Sequence, residues 1–255
     1  MTSTDLVEHV KRKDWDLLTR LGSVDKNAGP VLVTLLDDPD SQVRELTLAC
    51  LNAIGGPEAL EGFFKELHDR VDTVRAAAVR YLAAHYRTTD IPSIEKELQR
   101  SPDPYVREQL ALALGRTDRG TEIPVLQLSF ARERDDEHAK HALSLALARL
   151  GDSTQLHAVV FRLRQDDVKE RVAALKDLPY VNNRGLLKSV IPLLDDTRPG
   201  LNVGPSYRAF YIRVCDVAVN VVNEMLGQRL NWVEPRKRYS PEELAQVRTI
   251  LASIA

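Results

Sequence analysis

Leu35-Leu36-Asp37-Asp38-Pro39-Asp40-Ser41-Gln42-Val43-Arg44 closes one apolar helical pattern, turns through an acidic corner, and opens a second pattern that runs to Gly55. The same event returns at Asp72-Thr73-Val74-Arg75 and Asp103-Pro104-Tyr105-Val106-Arg107. It recurs in weaker form at Asp136 with Lys140 and Asp167 with Arg171. The basic residues at 44, 75, 107, 140 and 171 stand 31, 32, 33 and 31 positions apart. A fixed period of this size marks stacked repeats, in which each helix pair buries its apolar face only against its neighbours. The expected fold is all-α, a solenoid of helix pairs with a cap at each end.

Outward from that stretch, each first helix opens on a proline, at Pro30, Pro57, Pro92 and Pro124. Proline is tolerated there because the first turn has no intrahelical use for its missing N–H. Each second helix carries small and apolar residues at offsets of three and four, as in Thr47, Cys50, Leu51 and Ile54. That spacing is one helical stripe, the packing face. Ala158–Leu163 has β-prone composition, but helical patterns on both sides outweigh it. Residues 1–29 read as an N-terminal helical cap, with Leu6, Val10, Trp15, Leu18 and Leu21 as its apolar positions. Residues 30–227 read as the repeats.

The period breaks after Asp196. Residues 197–211 hold two prolines and two glycines, and the next arginine is delayed to Arg213, which is 42 positions after Arg171. This insert is expected to be irregular. Residues 228–255 form a C-terminal segment with a basic patch, Arg236-Lys237-Arg238, expected to be solvated. Ser240-Pro241-Glu242-Glu243 then starts a last helix, since a Ser with Glu three residues later is a capping box. Leu244, Val247, Ile250, Leu251 and Ile254 supply its apolar face.

The paired helices, the acidic turn and the Asp followed three or four residues later by Arg resemble HEAT repeats, in the bacterial form also seen in bilin-lyase subunits. The resemblance runs over roughly residues 30–227 and implies a right-handed α-α superhelix. It further implies a ladder of turn Asp and helix Arg through the stack, here Asp40, Asp72 and Asp103 with Arg44, Arg75 and Arg107. Arg171 and Arg213 continue the series. A side-chain oxygen ahead of a helix caps its orphan N–H groups, and an Arg nearby satisfies carbonyls or the Asp itself.

The chain has 255 residues, 44% hydrophobic and 28% charged, with a formal net charge of −2. An acidic balance argues against nucleic acid, which is held by clustered Lys and Arg. The two cysteines, Cys50 and Cys215, sit inside apolar patterns and read as buried thiols in a reducing cytoplasm. No apolar run reaches the ~20 residues that cross a bilayer. No phosphate loop, nucleophile elbow, dinucleotide fingerprint or His-Glu-x-x-His occurs. His138 and His141 stand three apart behind acidic residues, a spacing that reads as two solvated side chains ahead of a metal pair. Asp216, flanked by Cys215 and Val217, reads as an anchor pinning the insert, with catalysis as the weaker alternative.

The expected function is therefore a non-enzymatic scaffold without a cofactor that grips another protein on the concave face lined by second helices. A bilin-lyase-like enzyme subunit is the alternative, and a HEAT-like nucleic-acid binder a weaker one. Contact is expected at the insert, through Arg198, Tyr207, Arg208, Phe210 and Tyr211, because Tyr and Arg are over-represented among interface hot spots.

Overall fold

A computed structural model describes residues 2–17, 19, 26–204 and 210–253. Among the described residues, six helix pairs follow one another between terminal helices, so the fold class is all-α and of the solenoid type. The N-terminal helix α1 (Ser3–Lys11) starts on a capping box between Thr2 and Asp5. The pairs are α2 (Gly29–Thr34) with α3 (Ser41–Ile54), α4 (Pro57–Glu66) with α5 (Asp72–His85), α6 (Ile91–Arg100) with α7 (Pro104–Gly115), and α8 (Ile123–Arg132) with α9 (Glu137–Arg149). Next come α10 (Ser153–Leu163) with α11 (Val168–Val181), and a 3-10 helix, Arg184–Asp195, with α12 (Val214–Met225). The last helix is α13 (Pro241–Ser253). The β-prone run Ala158–Leu163 lies inside α10, where the surrounding helices decide its conformation.

The chain packs as two units, residues 1–117 with 124–143, and residues 118–123 with 144–255. In the first, Leu32, Leu36, Leu46, Phe63, Leu82 and Leu110 form the buried interior. The helices α3, α5 and α7 contact in succession, and small residues on their shared faces, among them Ala49, Ala78 and Ala111, are buried there. Gly62 lets α4 settle onto its neighbours: a Cβ there would lie 2.9 Å from Leu36 Cδ1 and 3.0 Å from Leu51 Cδ1. Of the apolar cap positions, Leu6 and Val10 are buried, whereas Trp15 is 43% exposed; Leu17, not expected among them, is buried as well. Leu18 and Leu21 lie outside the described residues.

In the second unit the interior is built on Leu175, Leu178, Val190, Val214, Val222 and Leu251. Arg184–Asp195 stays in the tighter 3-10 form over 12 residues, an unusual length for that helix. Pro192 within it has no N–H to donate and its ring would clash with a carbonyl one α-turn back. The capping box before α13 is present, with Glu243 N donating to Ser240 Oγ at 3.3 Å and Ser240 N to Glu243 Oε2 at 2.8 Å. Val247 and Leu251 are buried, and Ile254 lies outside the described residues.

The described part of the insert departs from the irregular loop expected of it, and its residues 205–209 lie outside the described residues. Strands β1 (Pro199–Asn202) and β2 (Tyr211–Arg213) form an antiparallel ribbon that pairs Leu201 with Ile212 and Asn202 with Tyr211, with an irregularity after Pro199. Alternation explains it: Ile212 is buried at 1% exposure while Tyr211 faces solvent at 44%. Gly200 permits the ribbon to lie against the helices, since a Cβ there would stand 3.1 Å from Val214 N and 3.2 Å from Val172 Cγ2.

Candidate protein-interaction surface

The repeat arginines are buried or half-buried and face into the stack. Each satisfies two kinds of acceptor: carbonyls in the turn six residues before it, and a carboxylate one repeat further on. Arg44 Nη1 donates to Asp38 O at 2.7 Å, while its Nε and Nη2 reach Asp69 at 2.6 and 2.9 Å. Arg75 donates to Asp69 O at 2.8 Å and to Asp103 Oδ2 at 2.5 Å. Arg107 donates to Ser101 O at 3.1 Å and to both oxygens of Glu133 at 2.7 and 3.0 Å. In the second unit, Arg171 donates to Gln165 O and, at 2.6 Å, to Asp196 Oδ2.

The ladder carboxylates are thus Asp69, Asp103, Glu133 and Asp196. Asp40 and Asp72, expected among them, stand elsewhere. Asp40 is the N-cap of α3 and takes Lys13 Nζ at 2.7 Å. Asp72 is exposed at the start of α5, where it accepts from Thr73 N at 2.9 Å. The reason is directional: an arginine on a second helix points at the turn of the next pair, 25 to 28 residues ahead, and not at its own cap. Lys140 breaks the series and packs over the Phe130 ring at 5.4 Å.

Electrostatics follow the pairing. Glu133 is held below the usual carboxylate range by the Arg107 guanidinium. Burial pushes Asp103 up, but Arg75 and the N–H groups of Val106 and Tyr105 bring it below its ordinary value. Asp196 accepts from Arg198 at 2.9 and 2.7 Å as well as from Arg171, and is depressed to about 2, first through Arg198. A second row of links joins the other ends of the second helices, with Tyr86 donating to Ala113 O at 2.8 Å and Arg149 to Tyr180 O at 2.6 Å. A groove of about 770 Å³ runs between the starts of α5 and α7, bordered by Asp72, Thr73, Ala76 and the exposed ring of Tyr105.

Around the hairpin, Asp216 is fully buried and collects four N–H donors besides the Cys215 thiol at 3.9 Å. Arg213 supplies its backbone N at 2.8 Å, Nε at 2.9 Å and Nη2 at 2.8 Å, and Tyr239 N adds one at 2.9 Å. Burial raises the carboxyl, but these donors win and hold it below its usual value. Arg213 Nη2 also donates to Tyr239 O at 2.6 Å. One carboxylate therefore ties β2, α12 and the C-terminal segment together, and Arg213 and Asp216 serve this junction. Phe210 and Tyr211 stand on this support, 43% and 44% exposed. Arg238 is exposed, as expected, and lies over the Phe210 ring at 5.3 Å, where its Nε donates to Tyr211 O at 2.9 Å. Arg198, its side chain 42% exposed, is paired with Asp196, and Tyr207 and Arg208 lie outside the described residues. His138 is exposed and His141 half-buried, and no group of three or more metal-ligating side chains occurs among the described residues.

Residues 15–87 match the family model described as HEAT repeats. That segment carries HEAT repeats. Among solved structures, the complex of CpcE and CpcF of phycocyanin lyase from Nostoc sp. PCC7120 is similar to this chain with a TM-score of 0.50. The likeness covers 89% of this chain and 83% of that one at 18% identity, and at that identity it concerns the fold alone. Human deoxyhypusine hydroxylase in complex with glycerol gives a TM-score of 0.36 at 14% identity, over 90% of this chain and 96% of that one. An engineered protein gives 0.40 at 16%, over 93% and 66%. Among curated proteins none matches in sequence.

Proposed function

We propose that this HEAT-repeat chain is a non-catalytic scaffold that binds another protein, with the hairpin and its C-terminal support as the principal contact. The observation that carries this reading is the fixed presentation of Phe210 and Tyr211: two exposed aromatic side chains on a ribbon anchored through a fully buried Asp216. Stacking of helix pairs does not require such a ribbon, and rigid aromatic anchors beside an arginine are the composition of interface hot spots. The repeat arginines support the same reading. They are committed to internal carboxylates and carbonyls, which removes them from the pool of cations that a phosphate backbone needs.

The likeness to a phycocyanin lyase complex favours a second reading, a bilin-lyase-type subunit, which also works beside a protein partner. Incubation with a free bilin distinguishes the two: a scaffold leaves the absorption spectrum unchanged, and a lyase-type subunit shifts it. The scaffold reading is tested by affinity capture from the source cells with the wild type and with Phe210→Ala, Tyr211→Ala. The variant is expected to melt within about 2 °C of the wild type and to lose the captured protein, since exposed substitutions rarely alter stability by much. Equal capture by both chains would remove the hairpin from the binding site.

A further inference from the structure

Arg238 is held in place without being neutralised. Its Nε and Nη2 both donate to Tyr211 O, the first at 2.9 Å, and its guanidinium lies 5.3 Å from the centre of the Phe210 ring. The register of the ribbon supplies the acceptor. Val203 N donates to Phe210 O at 2.8 Å, so the next pair along, Asn202 with Tyr211, turns its backbone groups outward. Tyr211 O is therefore an edge carbonyl, and Arg238 covers it. Among the described residues no ion pair reaches Arg238, nor Arg236, which is exposed two positions earlier. The acids around them are engaged elsewhere, Asp216 with Arg213 at 2.8 Å and Glu243 with Lys237 at 2.6 Å, and Glu234 pairs with neither arginine. A guanidinium presents two forks of parallel N–H groups. Nε with Nη2 is the fork that Arg238 turns to Tyr211 O, as Arg44 turns the same fork to Asp69. The other, Nη1 with the second N–H of Nη2, has no acceptor among the described residues, on a side chain that is exposed.

We infer that the hairpin recognises an acidic segment of its partner, with the open fork of Arg238 taking an Asp or Glu carboxylate and Phe210 and Tyr211 taking the apolar side chain next to it. The inference rests on the hairpin being the contact, as proposed above, and adds the chemistry of what it contacts. A carboxylate is the planar, two-oxygen acceptor that matches such a fork. Tyr211 O and the Phe210 ring fix the guanidinium beforehand, so less side-chain freedom is lost when the carboxylate arrives. The two half-exposed rings stand beside the charge and offer apolar area to the same segment. A phosphate backbone fits this surface less well. It needs a row of unpaired cations, and Arg198, Arg213 and Lys237 around the hairpin are each paired with a carboxylate.

The test titrates the full, nitrogen-15-labelled chain with acetyl-Glu-Phe-Glu-amide and with acetyl-Gln-Phe-Gln-amide, followed by backbone amide shifts. The Glu peptide is expected to move the amides of residues 210–213 and 236–238 and to bind about two- to fivefold tighter than the Gln peptide at low salt, a difference that fades at high salt. Arg238→Gln keeps a donor for Tyr211 O and removes the charge, so it is expected to bring the two peptides to equal affinity with the melting temperature unchanged. Phe210→Ala is expected to weaken both peptides alike. Equal affinities in the wild type, a preference that survives Arg238→Gln, or a Glu peptide that leaves the hairpin amides unmoved would overturn the acidic partner. A single-stranded oligonucleotide that moves the same amides at lower concentration than the Glu peptide would assign the fork to phosphate and overturn it as well. Capture by Phe210→Ala, Tyr211→Ala reads the contact separately. Capture lost there, together with equal peptide affinities, would keep the scaffold reading and remove the acidic one; capture retained would remove both.

Discussion

Arg44→Ala is the most informative single change. The side chain is 4% exposed and makes two bonds to Asp69, at 2.6 and 2.9 Å, and two to carbonyls, at 2.7 and 3.2 Å. Truncation leaves Asp69, whose side chain is 6% exposed, as a buried carboxylate without its cation. Removing one partner of a buried pair costs about 3–5 kcal/mol, because the other charge stays behind unpaired. For a chain of this size each kcal/mol moves the melting temperature by about 2–4 °C, which sets the expected loss at roughly 6–20 °C. Arg248→Ala is the control, since its bond to Asp195 is as short, 2.6 Å, but the two side chains are 42% and 70% exposed. Exposed pairs contribute about 0–1 kcal/mol, so this variant is expected to shift by no more than a few degrees. Thermal melting by circular dichroism at neutral pH reads both. Equal shifts would refute the claim that the repeat arginines hold the stack from within.

Two further outcomes follow from the geometry. Asp196 is depressed to about 2 by Arg198 and Arg171, so its contribution is present above pH 4 and is lost as pH falls from about 4 to 2. Asp196→Asn should cost about 2 kcal/mol at pH 7 and almost nothing at pH 2, and urea midpoints at the two values check it. Burial raises the thiols of Cys50 and Cys215 to about 12 and about 11, so neither is expected to react with iodoacetamide at pH 8 until the chain is unfolded, as mass spectrometry would record.

The helix pairs were legible in the sequence because period, proline placement and acidic turns all report local backbone chemistry. Asp40, Asp103 and Asp167 do cap their helices, as a carboxylate just ahead of an apolar stripe suggests. The ionic partners were not legible from the same spacing. Asp69 lies six residues before Arg75, Asp103 four before Arg107 and Glu133 seven before Lys140, so the ladder acid has no fixed place within its repeat. The signal lay in a longer register: each ladder arginine has an acid 25 to 28 residues ahead. Ribbon formation was hidden by the prolines and glycines of the insert, although Tyr211-Ile212-Arg213 does alternate outward and inward. Arg238 is exposed as expected, but nothing local shows that its turn folds back on Phe210.

Hydrogen–deuterium exchange of the captured complex against the free chain tests the proposed contact most directly. The account predicts slowed exchange across Pro199–Asn202 and residues 210–213, with little change in α10, whose Phe161 is 65% exposed and offers the competing apolar surface. Slowing confined to α10, or to the groove beside Tyr105, with the hairpin exchanging as in the free chain, would contradict it.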